Sequence, residues 1–443
     1  MLKKPALYGL VLFVLIFLFS CSKKVSKPVM KLKEIVIIDF NSIDKSKEYT
    51  QHYYAGMYLA IKEINKSGGV LSLPIKLVIE NDYGNQMDAY MVAEKAVKKR
   101  GGLILSGTYL LQPALGLAKY ADDNKIPFFS TGVSHNDLIY SYVASNYVFK
   151  LKPSDTMHII ALSQKIIDDS SIKNVNIITY TNSQGDYYSD LVKQTILNKR
   201  KDIKIIPDIR INKADVDNKN IAEAIYNSYS KNIILAIDNE DIQKLVVNLQ
   251  NNKSTIGKNI YMLYIGEPEW FEALIKDNPK NWYVSGFPWY AIDSESNKEF
   301  INKYKKEYNF KPRFASYLGY ISVYLMADAI KKADITSNDV ENRIKIAQQL
   351  QNATFQSPLG LVKMRADNQS NLGIYAGYFD EYITSKKKNN TTYKILDVRM
   401  KKTTYFGEEF LEDVIKSQNI RSAIIIKKEQ KFGGREVVEI IER

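Results

Sequence analysis

Carboxylate, hydroxyl and amide side chains stand directly after several short apolar runs of this chain. Asp238 and Glu267 follow two of these runs, and carboxylates of this kind pair with an ammonium group. Ser134 follows a third run, where its hydroxyl and the N–H groups of a helix N-terminus suit a carboxylate. Tyr109 and Gln184 follow two further runs. These side chains together predict a site for an α-amino acid or a related small polar solute.

Motifs of catalysis are absent from the sequence. It contains no Gly-x-Ser-x-Gly, no Gly-x-Gly-x-x-Gly and no phosphate-binding loop with Gly-Lys-Ser/Thr. His52, His135 and His158 do not have the spacing of metal ligands, so we interpret them as surface or loop residues. We therefore expect a protein that is not an enzyme and that needs neither a cofactor nor a metal.

The net charge of +13 does not indicate a nucleic-acid partner. Lysine occurs in nearly every segment and is mixed with acidic residues, whereas a nucleic-acid site concentrates Arg and Lys on one element. We expect no nucleic acid among the partners.

The elements that position the polar residues alternate between strand and helix. Apolar runs typical of buried strands occur at residues 34–39, 75–80, 103–106 and 128–130. Helical spacing of apolar residues separates them, and the first helix ends at Gly68 and Gly69. A strand–helix–strand series of this kind predicts a parallel sheet with helices on both faces.

A second series begins after Pro153. Its strands are predicted at residues 175–180, 203–207, 233–237 and 260–265, again with helices between them, at 156–167, 187–197, 221–229 and 242–249. The chain therefore predicts two consecutive doubly wound lobes.

A third section, from about residue 284, is mostly helical. Ser296 and Glu299 have the spacing of a capping box, and amphipathic helices are predicted at 317–333 and 338–350. Because these helices have few strands of their own, we expect them to pack on the sheet of the first lobe. The chain must then cross between the lobes more than once.

Ligands of open parallel sheets bind beyond the carboxyl ends of the strands, where the strand order reverses. This rule selects the loops that follow the strands in both lobes. The candidate ligand-binding residues in these loops are Tyr109, Leu111, Gly132, Ser134, Gln184, Asp238 and Glu267.

Several segments, in order, resemble the type I periplasmic solute-binding proteins of the Leu/Ile/Val-binding group. The opening signature runs from Gly56 through Ala60, Ile64 and Asn65 to Gly69. The later segments are Gly107 with Pro127 and Ser130, Phe149-Lys150-x-x-Pro153-x-Asp155, residues 175–185, residues 300–308, Tyr317-x-Gly319-Tyr320, Gly360-x-Val362 and Asp367-Asn368-Gln369. The resemblance covers roughly residues 34–380. It implies an α/β fold of two Rossmann-like doubly wound parallel-sheet lobes joined by a multi-strand hinge, which close on a small solute.

The resemblance also implies roles for single residues. Ser134 stands where the family has its ligand-binding Thr, and Gly132 where a backbone carbonyl contacts the solute's amino group. Glu267 stands where an acid binds that group.

Three positions depart from the family pattern. Leu111 replaces the Ser that binds the carboxylate, Gln184 replaces a Tyr beside the ligand, and Asp238 or Asn239 replaces a second Tyr. Losing one hydroxyl would weaken carboxylate binding by about 1.5–3 kcal/mol. Either Thr108 or Tyr109 compensates, or the solute is not a simple aliphatic amino acid and carries a second polar group.

Each candidate also has a purely structural interpretation. Ser134 could cap a helix that begins near Asn136, and Asp238 could cap the helix predicted at residues 242–249. Glu267 could be an exposed loop acid. The aromatic residues Trp270, Trp282, Trp289 and Tyr290 are more typical of core or hinge packing.

The N-terminal segment predicts export and a lipid anchor. Two lysines precede an uncharged run at residues 6–19, which is too short to span a bilayer and is typical of a signal peptide. The following Leu18-Phe19-Ser20-Cys21 resembles a bacterial lipobox, and Cys21 is the only cysteine in the 443 residues. The alternative is a plain secretory signal with a chance cysteine. Five lysines between residues 23 and 33 indicate a tether near anionic headgroups.

The resulting domain assignment has four parts. Residues 1–20 are the signal peptide and residues 21–33 the tether. Lobe one comprises 34–153 with 287–368, and lobe two comprises 154–286 with 369–443. Residues 381–443 lie beyond the family resemblance, and we interpret them as a β-hairpin that elaborates lobe two, with an exposed loop at 386–390 and strands at 423–427 and 437–441.

We therefore expect a lipoprotein on the outer face of the cytoplasmic membrane, in the periplasm or at the cell surface. Its expected partners are a small solute, the permease subunits of an ABC importer and, through the lipid, the membrane. The alternative is a receptor lipoprotein of the same fold with no role in transport.

Overall fold

The computed structural model describes residues 32–42, 47–135, 145–215, 219–237, 245–249, 255, 257–265, 281–287, 289–365, 367–388, 391–406, 428–432 and 435–439. The signal peptide, Cys21 and most of the tether lie outside the described residues. Asp238 and Glu267 lie outside them as well.

The first sheet is parallel and has the order β2-β1-β3-β4-β5. Its strands are β1 (Ile35–Asn41), β2 (Ile75–Asn81), β3 (Ile104–Gly107), β4 (Phe128–Ser130) and β5 (Val148–Lys150). All strands except β2 are buried along their whole length, as apolar runs covered on both faces require.

Within the described residues, three helices connect these strands: α1 (Lys47–Lys66), α2 (Gln86–Arg100) and α3 (Leu111–Asn124). The side chain of Asn85 caps α2 by accepting from the N–H of Asp88, and Gly101 ends it in the left-handed conformation. Helix α3 begins at Leu111, so this residue belongs to a helix and not to the preceding loop.

The second sheet has the order β14-β13-β10-β9-β8-β6-β7 and is parallel from β10 to β7. Its strands are β6 (Asn174–Tyr180), β7 (Lys204–Ile211), β8 (Asn232–Leu235), β9 (Asn259–Met262), β10 (Trp282–Gly286), β13 (Ile374–Lys388) and β14 (Thr391–Phe406). The helices associated with it are α4 (Asp155–Asp168), α5 (Ser183–Lys199) and α6 (Lys219–Asn227), and residues 245–249 are also helical. The α/β fold class with two doubly wound parallel-sheet lobes is confirmed.

Helix α5 begins four residues earlier than its periodicity predicts. Asn182 accepts from the N–H of Gly185 and caps the helix at this earlier point. A side chain at Gly185 would come within 2.1 Å of the carbonyl oxygen of Tyr180, which explains a glycine inside the first turn. Gln184 therefore lies in the first turn of α5 and not in a loop.

The helices of the third section are α7 (Glu295–Tyr308), α8 (Phe314–Ala333) and α9 (Val340–Leu350). They share one hydrophobic cluster with β1, α1 and β3 of the first sheet. The capping box predicted at Ser296 is wrong, because the N-cap of α7 is Ser294, which accepts from the N–H of Asn297. Beyond α9, strands β11 (Thr354–Ser357) and β12 (Gly360–Lys363) form a small antiparallel pair.

Two crossing segments between the lobes are tied together by backbone hydrogen bonds. The N–H of Lys150 donates to the carbonyl of Asn368 at 2.9 Å, and the N–H of Ser370 donates to the carbonyl of Lys150 at 2.9 Å. Tyr290 follows the third crossing, after β10, and packs against the cores of both lobes. Trp282 and Trp289 are buried in those cores, while Trp270 lies outside the described residues.

The C-terminal region is largely antiparallel. Strands β13 and β14 extend the second sheet, so Lys386–Lys388 lie in a strand and the exposed loop predicted there is wrong for these three residues. The cause is pairing of β13 with β14, which a run of lysines does not reveal. A separate hairpin joins β15 (Lys428–Phe432) to β16 (Arg435–Glu439), and its first strand begins one residue after the end of the strand predicted at 423–427. Residues 423–427 lie outside the described residues.

Candidate functional site: a polar cluster between two sheets

Both sheets reverse their strand order, and candidate residues lie at each reversal. In the first sheet the reversal falls between β1 and β3, and Tyr109 follows β3. In the second sheet it falls between β6 and β8, and Gln184 follows β6. The carboxyl ends of the strands at such a point form a natural crevice for a ligand.

The first-lobe side of the site contains two tyrosines and a glycine. The rings of Tyr49 and Tyr109 are tilted by 39° with their centroids 4.6 Å apart. A side chain at Gly132 would come within 2.6 Å of the Tyr49 hydroxyl oxygen and 2.8 Å of the Thr108 carbonyl oxygen. A glycine at position 132 therefore leaves room for the Tyr49 hydroxyl and for the backbone of Thr108 and Tyr109.

A buried carboxyl group supports these rings from behind. Tyr53 stacks on Tyr49 at 5.7 Å, donates to Asp39 at 2.8 Å and accepts from Thr131 at 3.0 Å. Burial raises the pKa of Asp39 to about 6, although hydrogen bonds from Ser106 and Tyr53 oppose that effect. The network fixes Tyr53 and, through the stacked rings, the position of Tyr49.

The second-lobe side is organised around the carboxylate of Asp155, in the first turn of α4. Asp155 accepts from Tyr188 at 2.7 Å and from Tyr264. Burial and the Asp155 carboxylate raise the pKa of Tyr264 well above its ordinary value, so this hydroxyl stays protonated and donates. Gln184 donates to the Tyr188 hydroxyl at 3.0 Å.

The two lobes meet at the segment that follows β4. The Nε2 atom of His135 lies 2.6 Å from Nε2 of Gln184, and its Nδ1 atom lies 3.7 Å from the Asp155 carboxylate. Ser134 hydrogen-bonds Tyr264 through its side chain, and its carbonyl accepts from the N–H of Asp155 at 3.2 Å. These residues form a polar cluster that spans both lobes.

The structure thus brings most of the described candidates together in two groups. Tyr109 and Gly132 are in contact on the first lobe, whereas Ser134 and Gln184 meet partners of the opposite lobe. Leu111 packs against the hydrophobic cluster on the α2–α3 face of the first sheet. Asp238 and Glu267 lie outside the described residues.

Five residues of the site were not predicted as candidates: Tyr49, His135, Asp155, Tyr188 and Tyr264. Asp155 stands in one of the segments that resemble the family, which is the one signal that could have selected it. The tyrosines are inconspicuous in a chain with 31 of them.

The interpretation of the histidines as surface or loop residues is wrong for His52 and His158. His158 is buried in α4 with its Nδ1 atom 2.8 Å from the Ser285 hydroxyl, and burial lowers its pKa well below the usual value. His52 is buried in α1, which lowers its pKa to about 4, with a contribution from Arg313. Histidine occurs at both buried and exposed positions in proteins, so the residue type alone does not predict whether a histidine is buried.

The described part of the chain contains no group of three His, Cys, Asp or Glu residues able to hold a metal ion. In the same residues, no helix has the length and apolar character needed to cross a membrane.

Comparison with known proteins identifies the family. A family model described as "Periplasmic binding protein" matches residues 45–380. The chain belongs to the type I periplasmic binding proteins. No curated protein shows a significant sequence match.

Solved structures of periplasmic binding proteins share this fold. An amino acid ABC transporter substrate-binding protein from Pseudomonas fluorescens Pf-5 has a TM-score of 0.70 and 16% identity, with 86% of this chain and 98% of that chain covered. LivJ from Streptococcus pneumoniae, in complex with isoleucine, has a TM-score of 0.66 and 19% identity, with 85% and 100% covered. A solute-binding protein from Rhodopseudomonas palustris BisB5, in complex with 3,4-dihydroxybenzoic acid, has a TM-score of 0.66 and 15% identity, with 83% of this chain and 98% of that chain covered.

Proposed function

We propose that this protein is the solute-binding component of an ABC importer, and that it captures an amino acid or a related small polar solute between its lobes without catalysis. The observation that carries the proposal is the contact of Gln184, at the switch point of the second sheet, with His135 of the opposite lobe, whose Nε2 atoms lie 2.6 Å apart. A solute bound beside this contact touches both lobes at once.

The relatives support transport of a small solute. The three structures described above are named as substrate-binding or solute-binding proteins of transporters, and two of them hold isoleucine and 3,4-dihydroxybenzoic acid. By this analogy the partners are the permease subunits of an importer. The protein works outside the cytoplasm, held to the membrane by a lipid at Cys21.

The chemistry of the lobes favours a solute with several polar groups. When a solute binds, the Ser134 hydroxyl turns from Tyr264 to the solute's carboxylate, and the Glu267 carboxylate pairs with an ammonium group. Leu111 contributes no hydroxyl, while Gln184 and Asp238 add polar groups at positions where the family has tyrosines. The rings of Tyr49 and Tyr109 form an aromatic surface against the solute's apolar part.

Capture proceeds by hinge closure between lobe one (34–153 with 287–368) and lobe two (154–286 with 369–443). The crossing segments are tied to one another at Lys150 and Asn368, so bending is confined to a few residues around them. A solute favours the closed form to the extent that it binds that form more tightly than the open form.

A thermal-shift screen of the mature protein tests the proposal. Amino acids, amides, small peptides and polyamines are added singly, and a solute that binds the folded state raises the melting temperature by mass action. The affinity of the best solute is then measured by titration calorimetry for the wild type and for Gln184→Leu. We expect about tenfold weaker binding in the variant, since one hydrogen bond is lost.

Gln194→Leu is the matched control, because Gln194 lies on the same helix with an exposed side chain. Equal affinity of the two variants would remove Gln184 from the site. A screen in which no small polar solute raises the melting temperature would contradict solute capture itself.

A further inference from the structure

The end of lobe one opposite the cleft gathers the C-termini of several helices. In a parallel sheet the connecting helices run against the strands, so their last turns lie beside the starts of the next strands. Asn65, at the end of α1, confirms this placement by holding the backbone of Ile75 at the start of β2 with hydrogen bonds of 2.8 and 3.0 Å.

Helix α8 ends at the same side of lobe one. It runs in the same direction as α1, because Gly56 in the middle of α1 approaches Ser316 near the beginning of α8, and Glu63 near the end of α1 accepts from Tyr324 further along α8. After α8, the Asn338 side chain donates to the carbonyl of Gly101 at the end of α2. The last turns of α1, α2, α3 and α8 therefore share one end of the lobe.

This end, which we term the basic pole, presents six exposed cationic side chains. They are Lys33, Lys66, Lys99, Arg100, Lys125 and Lys331. Cations in a last turn complement the helix dipole, which accounts for some of these positions. It does not account for Lys33, which precedes β1, whereas Lys125 is the C-cap residue of α3.

Neighbouring charges do not neutralise the basic pole. Lys76, Lys98 and Lys332 pair with Glu34, Glu94 and Asp328. Within the residues that the structure describes, none of the six cations of the basic pole forms an ion pair. Exposed carboxylates at this end are fewer than the six cations, so the balance stays positive; they are Asp122, Asp334, Asp339 and Glu341.

We infer that the basic pole is a docking surface for anionic membrane lipids. The chain enters lobe one at this pole, where Leu32 packs against the core just before β1. Residues 22–31 between Cys21 and Leu32 reach at most about 36 Å when extended. The orientation rests on the proposed lipid at Cys21, but the surface itself does not depend on solute capture.

A lipid surface fits the pole better than a nucleic acid does. Each Lys or Arg near anionic headgroups strengthens binding to the membrane about fivefold. This attraction requires neither a groove nor stacking side chains. Docking through the basic pole also leaves the cleft free, since the cleft lies at the carboxyl ends of the strands and the basic pole lies at their amino ends.

Vesicle binding of the unacylated chain, beginning at Ser22, tests the inference. Sedimentation is compared for vesicles of phosphatidylcholine with and without phosphatidylglycerol, at low and high salt. We expect binding only to the anionic vesicles and its loss at high salt, because exposed charges are screened. The triple variant Lys99→Glu, Arg100→Glu, Lys331→Glu should bind more than about a hundredfold more weakly.

The matched control is Lys199→Glu, Lys201→Glu, Lys204→Glu, which makes the same change in net charge at exposed positions of lobe two. It should retain vesicle binding, and the melting temperature checks that both variants fold. Equal losses in the two variants, or equal wild-type binding to neutral vesicles, would overturn the inference. Tighter binding to single-stranded DNA than to anionic vesicles would overturn it in favour of a nucleic acid. Solute affinity should stay unchanged in both variants, so this test is independent of solute capture.

Discussion

Asp39 is a fully buried carboxyl group whose pKa is raised from 3.8 to about 6, chiefly by burial. A raised pKa means that the folded state holds its proton more tightly than the unfolded state. The contribution of Asp39 to stability is therefore present below about pH 4 and is lost as the pH rises through about 6.

We expect Asp39→Asn to remove this pH dependence. The unfolding free energy of the wild type, relative to the variant, should fall by about 2 kcal/mol between pH 4 and pH 7. Urea denaturation across that range measures the difference. The comparison between variants is essential because His52, with its pKa lowered to about 4, makes the wild type less stable as the pH falls. Asp190→Asn, at an exposed position, controls for the loss of a charge.

A second prediction at the scale of one residue concerns Glu267. If its carboxylate pairs with a solute ammonium group, Glu267→Ala should abolish or greatly weaken solute binding. The melting temperature of the unliganded protein should stay nearly the same. Calorimetric titration checks the affinity, with Glu341→Ala as a control at an exposed position. Undiminished affinity would exclude Glu267 from the site.

Helices α1 and α8 pack closely, because glycines let the two backbones approach. A side chain at Gly56 would lie 2.0 Å from the Ser316 carbonyl oxygen, and one at Gly319 would lie 2.1 Å from that of Tyr53. Both glycines belong to sequence segments that resemble the family, but only the packing shows that each faces the backbone of the other helix.

We expect Gly56→Ala to destabilise the protein by about 1–3 kcal/mol or more, since the helices must separate. Alanine is the better helix former by about 1 kcal/mol, so intrinsic propensity alone would give the opposite sign. Thermal unfolding measures the change, and Gln51→Ala at an exposed position of α1 is the control. A more stable Gly56→Ala protein would show that the helices do not approach closely at this point.

Closure of the two lobes is the prediction that belongs to the whole molecule. Once a solute has been found, small-angle X-ray scattering should show a smaller radius of gyration with it than without it, because a solute that contacts both lobes favours the closed form. The Gln184→Leu variant at saturating solute should still close, whereas at low solute it should remain as open as the unliganded protein. An unchanged radius at saturation would contradict hinge closure.

The amino-acid sequence by itself determined the secondary-structure alternation and thereby the fold class. Apolar runs and helical periodicity predicted each strand of the first sheet except the short β5, which only three residues form. Hydrophobic periodicity is a local property of the sequence, so it predicts a strand or a helix without information on which strands pair. Boundaries were less exact where a polar cap extended a helix, as Asn182 does at α5.

The tertiary structure decided which of these residues meet. Asp155 and Tyr264 are 109 positions apart, and His135 and Gln184 are 49 apart. Two crossing segments bring these residues into one cluster, and no local sequence pattern predicts these contacts. Hydrophobic burial can be read along the chain, because it depends on spacing within one element. A polar site built from four separate segments depends on how whole elements pack, and only the folded molecule shows it.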